Sequence, residues 1–207
     1  MDVSAPYTAI CPTLDSSVLA ALAGTSQPLT GREVARLLGR RSHRGVLDVL
    51  NRLADHGLVD RAEAGRAFMF TLNRDHLAAP AVDILAGMRA ELLKRLATAA
   101  EEWEIAPVHL SLFGSAARGD GDVHSDIDLF VVRPSGIADD DAGWQAQRDD
   151  LSEQIRRWTG NRAAVAEISE GDVRRLRRQR PPILGKLRRD AVLITGPRIA
   201  DLFGVAP

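Results

Sequence analysis

The 207 residues suffice for one large domain or two small ones, each able to bury a core. Hydrophobic residues at 45% and charged residues at 27% are ordinary globular values, and no stretch approaches the roughly 20 apolar residues of a membrane span. The formal net charge of −1 excludes a chain that coats nucleic acid or anionic membrane by bulk charge, so any nucleic-acid contact must be local. The start MDVSAPYTAI has no basic segment leading into an apolar one, and the lone Cys11 has no intrachain partner, so a reducing cytoplasm is expected. Lys94 and Lys186 are the only lysines among 27 basic residues, and this bias makes arginine richness by itself weak evidence of function.

In chain order, residues 1–13 read as an extension. Asp15 is expected to cap a helix over residues 16–23, closed by Gly24 and Pro28. Thr30 then caps a second helix carrying Val34, Leu37 and Leu38, with Glu33 placed for a capping box. Ser42 caps a third, with Val46, Val49, Leu50 and Leu53 as its apolar stripe and His56-Gly57 as its end. Residues 58–60 and 68–72 are strand-like, and residues 61–66 read as the loop of a hairpin between them. This order, with "LTGREVARLLGRRSHRGVLDVLNRLADHGLVDR", resembles the winged helix-turn-helix domains of bacterial transcriptional regulators, over residues 14–74.

Between residues 32 and 52 six arginines face only Glu33 and Asp48, a surplus of +4. Around a recognition helix, Arg40, Arg41, Ser42, His43, Arg44, Asn51 and Arg52 would meet phosphates and base edges, with Arg66 reaching DNA from the wing. The competing reading is a winged helix used for protein contact. Paired half-sites imply a homodimer.

Residues 75–104 form a long helical pattern, with Ile84, Leu85, Met88, Leu92, Leu93 and Leu96 on one side, and read as a linker helix. Beyond Pro107, residues 105–207 alternate strands and helices: strands at 108–113, 127–132, 163–168 and 192–194, and helices at 142–158, 170–178 and 181–189. The first strand runs into Gly114-Ser115, a turn whose backbone can approach phosphate oxygens without a side-chain clash and whose N–H groups can form an anion nest. Ten residues later, Asp126 and Asp128 point to one face of the second strand because side chains alternate. Two adjacent carboxylates repel unless a cation sits between them, and magnesium favours such oxygen ligands. The competing reading is a turn followed by a strand whose aspartates merely face water.

The run "LFGSAARGDGDVHSDIDLFVV" resembles the signature of the polymerase-beta-like nucleotidyltransferases, and most of all their minimal members, which share "GSxARG…SDIDL". That resemblance implies an α+β chain: winged helix, linker helix, then a nucleotidyltransferase α/β domain with a small mixed sheet. It implies a nucleotidyltransferase of the EC 2.7.7 type that binds an NTP with Mg2+ or Mn2+ and transfers a nucleoside monophosphate to a hydroxyl of a protein, RNA or small molecule. Asp126 and Asp128 would be catalytic and hold metal, while Gly114, Ser115, Arg118, Ser125 and Lys186 would bind the nucleotide. A third catalytic, metal-binding carboxylate is expected on a neighbouring strand, and Glu167, which interrupts the apolar run Ala164-Val165-Ala166, is the candidate. Relatives often act beside a toxin or antitoxin partner. The alternative is a transcriptional regulator whose catalytically weak domain senses a nucleotide or other ligand. His109 and His124 have no second metal-type ligand at recognisable spacing and stay unassigned.

Overall fold

The computed structural model describes residues 1–39, 41–179 and 182–204. The chain forms two compact units, one of Ala5–Arg89 and one of Met1–Ser4 with Ala90–Pro207. Among the described residues, no helix is long and apolar enough to cross a membrane.

In the first unit, α1 (Leu14–Ala23), β1 (Leu29–Thr30), α2 (Gly31–Leu37), α3 (His43–Asp55), β2 (Val59–Ala64) and β3 (Ala67–Leu72) follow a short 3-10 turn at Pro6–Ala9. Thr30 caps α2 in a reciprocal box: its hydroxyl accepts from the Glu33 N–H, and its own backbone N–H donates to the Glu33 carboxylate at 2.8 Å. Ser42 caps α3 as its position predicts. Asp15 does not cap α1. Thr13 occupies that position, and Asp15 lies in the first turn, where it pairs with Arg52. Val18, Leu22, Val34, Val46, Leu50, Leu53 and Phe70 close the core, which is why the apolar stripes of three short helices suffice to hold them.

The segment expected as a loop at residues 61–66 is mostly strand. Register from Val59↔Leu72 to Ala64↔Ala67 leaves only Gly65 and Arg66 as the turn, with Gly65 at φ +62°. Its polar run reflects exposure on both faces rather than absence of pairing, since only Val59 of β2 is buried. β1 adds to β3, giving a sheet ordered β1-β3-β2.

The helix α4 (Ala79–Glu101) begins later than the sequence pattern suggested, after turns at residues 74–78. In the second unit, β4 (His109–Phe113), α5 (Gly114–Arg118), β5 (Ile127–Arg133), α6 (Ala142–Thr159), β6 (Ala163–Ser169), α7 (Glu170–Gln179), α8 (Pro182–Asp190), β7 (Val192–Thr195) and α9 (Ile199–Phe203) build a mixed sheet ordered β6-β5-β4-β7. Only the β5–β6 pair is parallel, as the α6 crossover requires. Alternation divides the apolar side chains between two faces. Leu110, Leu112, Ile127, Leu129 and Val131 pack with α6 through Trp144, Leu151 and Ile155. Phe130 and Val132 pack on the other face with Val173, Leu184, Leu187 and Phe203 of α7, α8 and α9.

Candidate nucleotide and metal site

Asp126 lies exposed just before β5, and Asp128 is half-buried within it. Asp128 is registered against Phe113, the last residue of β4, so the carboxylate stands beside the Gly114-Ser115 turn. Gly114 adopts φ +70°, and a Cβ there would collide with the Asp128 carboxylate, reaching its Cγ at 2.9 Å. Glycine is therefore required twice at this position, by backbone conformation and by space. α5 begins at Gly114 itself, and its N-cap, Phe113, makes no side-chain hydrogen bond.

Burial pushes the Asp128 carboxyl above its ordinary value, the neighbouring Asp126 pushes it further, and Arg118 and Lys186 pull against both. That balance suits a cation. The pair supplies hard oxygen donors on one face, and the two nearby cationic side chains suit a phosphate chain brought with the metal. Among the described residues no third carboxylate, histidine or cysteine joins them as a ligand group, so substrate phosphates and water would have to complete the coordination.

Ser115 Oγ has no hydrogen-bond partner among the described residues and lies where a Cβ on Gly121 would stand 3.2 Å from it. Ser125 is committed differently: its hydroxyl accepts from the Asp122 N–H at 2.9 Å and donates to the Asp122 carboxylate at 3.1 Å, closing the loop before Asp126. Buried Asn161 holds that loop from below, donating to the Ser125 carbonyl at 2.9 Å. Sequence reasoning missed Asn161, whose only visible signal was its place after the helix-ending Gly160. Arg118 is held between Asp120 at 3.0 Å and Asp190 at 3.2 Å, which ties α5 to the end of α8. Lys186 is on α8, whose Leu184 and Leu187 pack on the Phe130 face of the sheet, the face that Asp128 shares by alternation.

Glu167 is not brought to this edge. It is registered with Val131, three residues along β5 from Asp128, or about 10 Å at the rise of a strand. Three is odd, so its side chain leaves the opposite face of the sheet. There it bridges Arg133 of β5 at 2.7 Å and Arg148 of α6 at 2.6 Å, with its side chain 13% exposed. Burial raises its pKa, but the hydrogen bonds from Arg133 and Arg148 outweigh that and hold the carboxyl below its ordinary range. The indole N–H of Trp144, buried nearby, also favours the charged form, although it meets no hydrogen-bond geometry. The residue directly beside Asp128 on β6 is Ala164.

In the first unit, Arg41, Ser42, His43 and Arg44 are exposed around the start of α3, with the Ser42 hydroxyl accepting from the Gly45 N–H at 3.5 Å. Asn51 accepts a hydrogen bond from Arg61 at 3.1 Å, and Arg61 in turn stacks on Phe68. Arg52 is paired with Asp15, and Arg66 is exposed at the tip of the hairpin. Arg40, also expected to contact DNA, lies outside the described residues.

Residues 93–160 match the family model described as Nucleotidyltransferase domain. Comparisons with curated proteins and with solved structures gave no match. The matched stretch contains Gly114, Ser115, Asp126 and Asp128 and stops before β6. It supports a nucleotidyltransferase domain in this part of the chain, with a general nucleotidyl-transfer function.

Proposed function

We propose that the chain is a DNA-binding regulator whose nucleotidyltransferase domain binds a nucleoside triphosphate with Mg2+ or Mn2+ at Asp126, Asp128, Gly114 and Ser115, and that occupancy of this site is its principal output. The observation that carries the choice is the β5–β6 register. It sets Ala164 beside Asp128, where a third carboxylate would be needed to draw a proton from an attacking hydroxyl, and sends Glu167 to the far face. When bound, the metal would neutralise triphosphate charge. The protein's own part is to hold two carboxylates on one face, let the backbone of the Gly114-Ser115 turn approach phosphate, and keep Lys186 on the same side.

DNA binding is supported by the order helix, strand, helix, helix, hairpin and by the exposed Arg41, His43 and Arg44 at the head of α3. A homodimer on paired half-sites follows from that reading. Operator affinity, measured on the chain's own promoter DNA with and without NTP and magnesium, tests the regulator. Affinity that does not change with nucleotide refutes it.

The family match favours a second reading, transfer of a nucleoside monophosphate to a hydroxyl of a protein, RNA or small-molecule acceptor, a toxin or antitoxin partner included. Incubation with labelled NTP, magnesium and lysate separates the two. Acceptor labelling that disappears in Asp126→Ala/Asp128→Ala supports transfer. Absence of labelling by a chain that binds NTP supports the regulator.

A further inference from the structure

Residues 1–4 belong to the second unit, although the chain enters the first at Ala5. They have no part in the nucleotide reading. Val3 is 4% exposed and lies in the core that holds Ala116 of α5, Ile127 of β5 and Trp144 of α6, with Met1 packed against the same core. Asp2 and Ser4 close the segment into a turn: the Ser4 N–H donates to the Asp2 carboxylate at 2.8 Å, and the Ser4 hydroxyl donates to the same oxygen. Ser4 lies against the end of α5, where a Cβ on Gly119 would stand 3.7 Å from its own.

Buried Asn161 joins this segment to the loop that leads into Asp126. Its side-chain oxygen accepts from the Met1 nitrogen at 2.7 Å, and its amide nitrogen donates to the Ser125 carbonyl at 2.9 Å and the Val123 carbonyl at 3.4 Å. One planar amide therefore serves both partners, and turning it to suit one misdirects it for the other. Residues 119–126 connect α5 to β5 as turn and irregular chain and include Gly119 and Gly121. Such a stretch takes its order from what packs against it.

We propose that residues 1–4 are a strap whose docking orders residues 119–126 and so sets the affinity of the carboxylate edge, an inference that rests on the reading of that edge as a nucleotide and metal site. A ligand that needs Asp126 in place binds the docked state better. By linkage, Mg·NTP then holds the strap down.

Hydrogen exchange followed by mass spectrometry on the full chain, without nucleotide or metal, tests the strap apart from the site. Val3→Asp puts a carboxylate at an apolar core position and should release the strap. Exchange over residues 115–126 should rise about tenfold while β5 and β6 stay as protected as in the wild type. Unchanged exchange over residues 115–126, or a rise shared equally by β5 and β6, overturns the strap. If Val3→Asp does not fold, Val3→Ala decides by the same criterion, with a rise of about threefold expected.

Thiol trapping tests the coupling. In Val3→Cys/Cys11→Ser a small apolar side chain keeps the strap docked, and a maleimide reaches the buried thiol on release. A mixture of ATP, GTP, CTP and UTP with Mg2+ should slow trapping about tenfold. Unchanged trapping in a variant that binds nucleotide by calorimetry overturns the coupling and leaves the nucleotide reading intact. A wild-type chain that binds none of the four refutes that reading and the coupling with it, while hydrogen exchange still decides the strap.

Discussion

Substituting Glu167 by glutamine separates a structural carboxylate from a catalytic one. The glutamate joins Arg133 and Arg148, whose side chains are 12% and 29% exposed, so the network is neither a surface pair nor a sealed one. Breaking a fully buried pair costs about 3–5 kcal/mol and an exposed one about 0–1 kcal/mol. Glutamine keeps one acceptor oxygen and removes the charge that both guanidiniums face, and a loss of about 2 kcal/mol follows. Trp103, Trp144 and Trp158 all lie in the unit that holds Glu167, so tryptophan fluorescence during urea unfolding reports that unit. With a urea slope of about 2 kcal/mol per molar, the midpoint should fall by about 1 M. The folded-state pKa of Glu167 is below its unfolded value. Its contribution is therefore complete above the ordinary 4.5 and is lost as pH falls through the folded value, so wild type and variant should converge in acid. Affinity for Mg·NTP should not change. A variant with wild-type stability and no nucleotide binding or transfer would refute this placement of Glu167.

Three other substitutions test the edge itself. Gly114→Ala forces a left-handed residue with a Cβ against Asp128, and should cost about 1–2 kcal/mol in urea unfolding from the backbone alone while abolishing NTP binding measured by calorimetry. Asp128→Asn should raise the urea midpoint of the nucleotide-free chain at pH 7 while removing metal-dependent binding. The folded pKa of Asp128 is raised, so stability is lost as pH rises from the ordinary 3.8 through the folded value, and asparagine removes that loss. Ala164→Asp places a third carboxylate beside Asp128. It should lower the melting temperature without metal, restore it with Mn2+, and increase labelled-NTP transfer over wild type.

How far the sequence could be read depended on the range of the information each feature needs. Gly114-Ser115 and Asp126-Ile127-Asp128 were legible because their geometry is local: a turn, and alternation along one strand. Thr30 with Glu33 was legible for the same reason. Glu167 was misplaced because β6 carries no sign of its register with β5. The polar residue in Ala164-Val165-Ala166-Glu167 identifies a strand position but not which face of the sheet receives it, and that is set by long-range pairing such as the Ile127 N–H to the Arg162 carbonyl at 2.8 Å. The hairpin loop was overestimated because residues 61–64 are polar on both faces, which imitates a loop when no partner strand is visible. Residues 1–13 read as one extension because no period marks Val3, and so its burial in the core with Ala116 and Ile127 could not be foreseen.

The central claim is that the edge formed by Gly114, Ser115, Asp126 and Asp128 holds a nucleoside triphosphate through a divalent cation. Calorimetric titration of ATP, GTP, CTP and UTP into the full chain, with Mg2+ and with EDTA, tests it most directly. Saturable binding of at least one NTP that requires Mg2+ and is lost in Asp126→Ala/Asp128→Ala is the predicted result. Metal-independent binding, equal binding by the variant, or no binding of any of the four would contradict it.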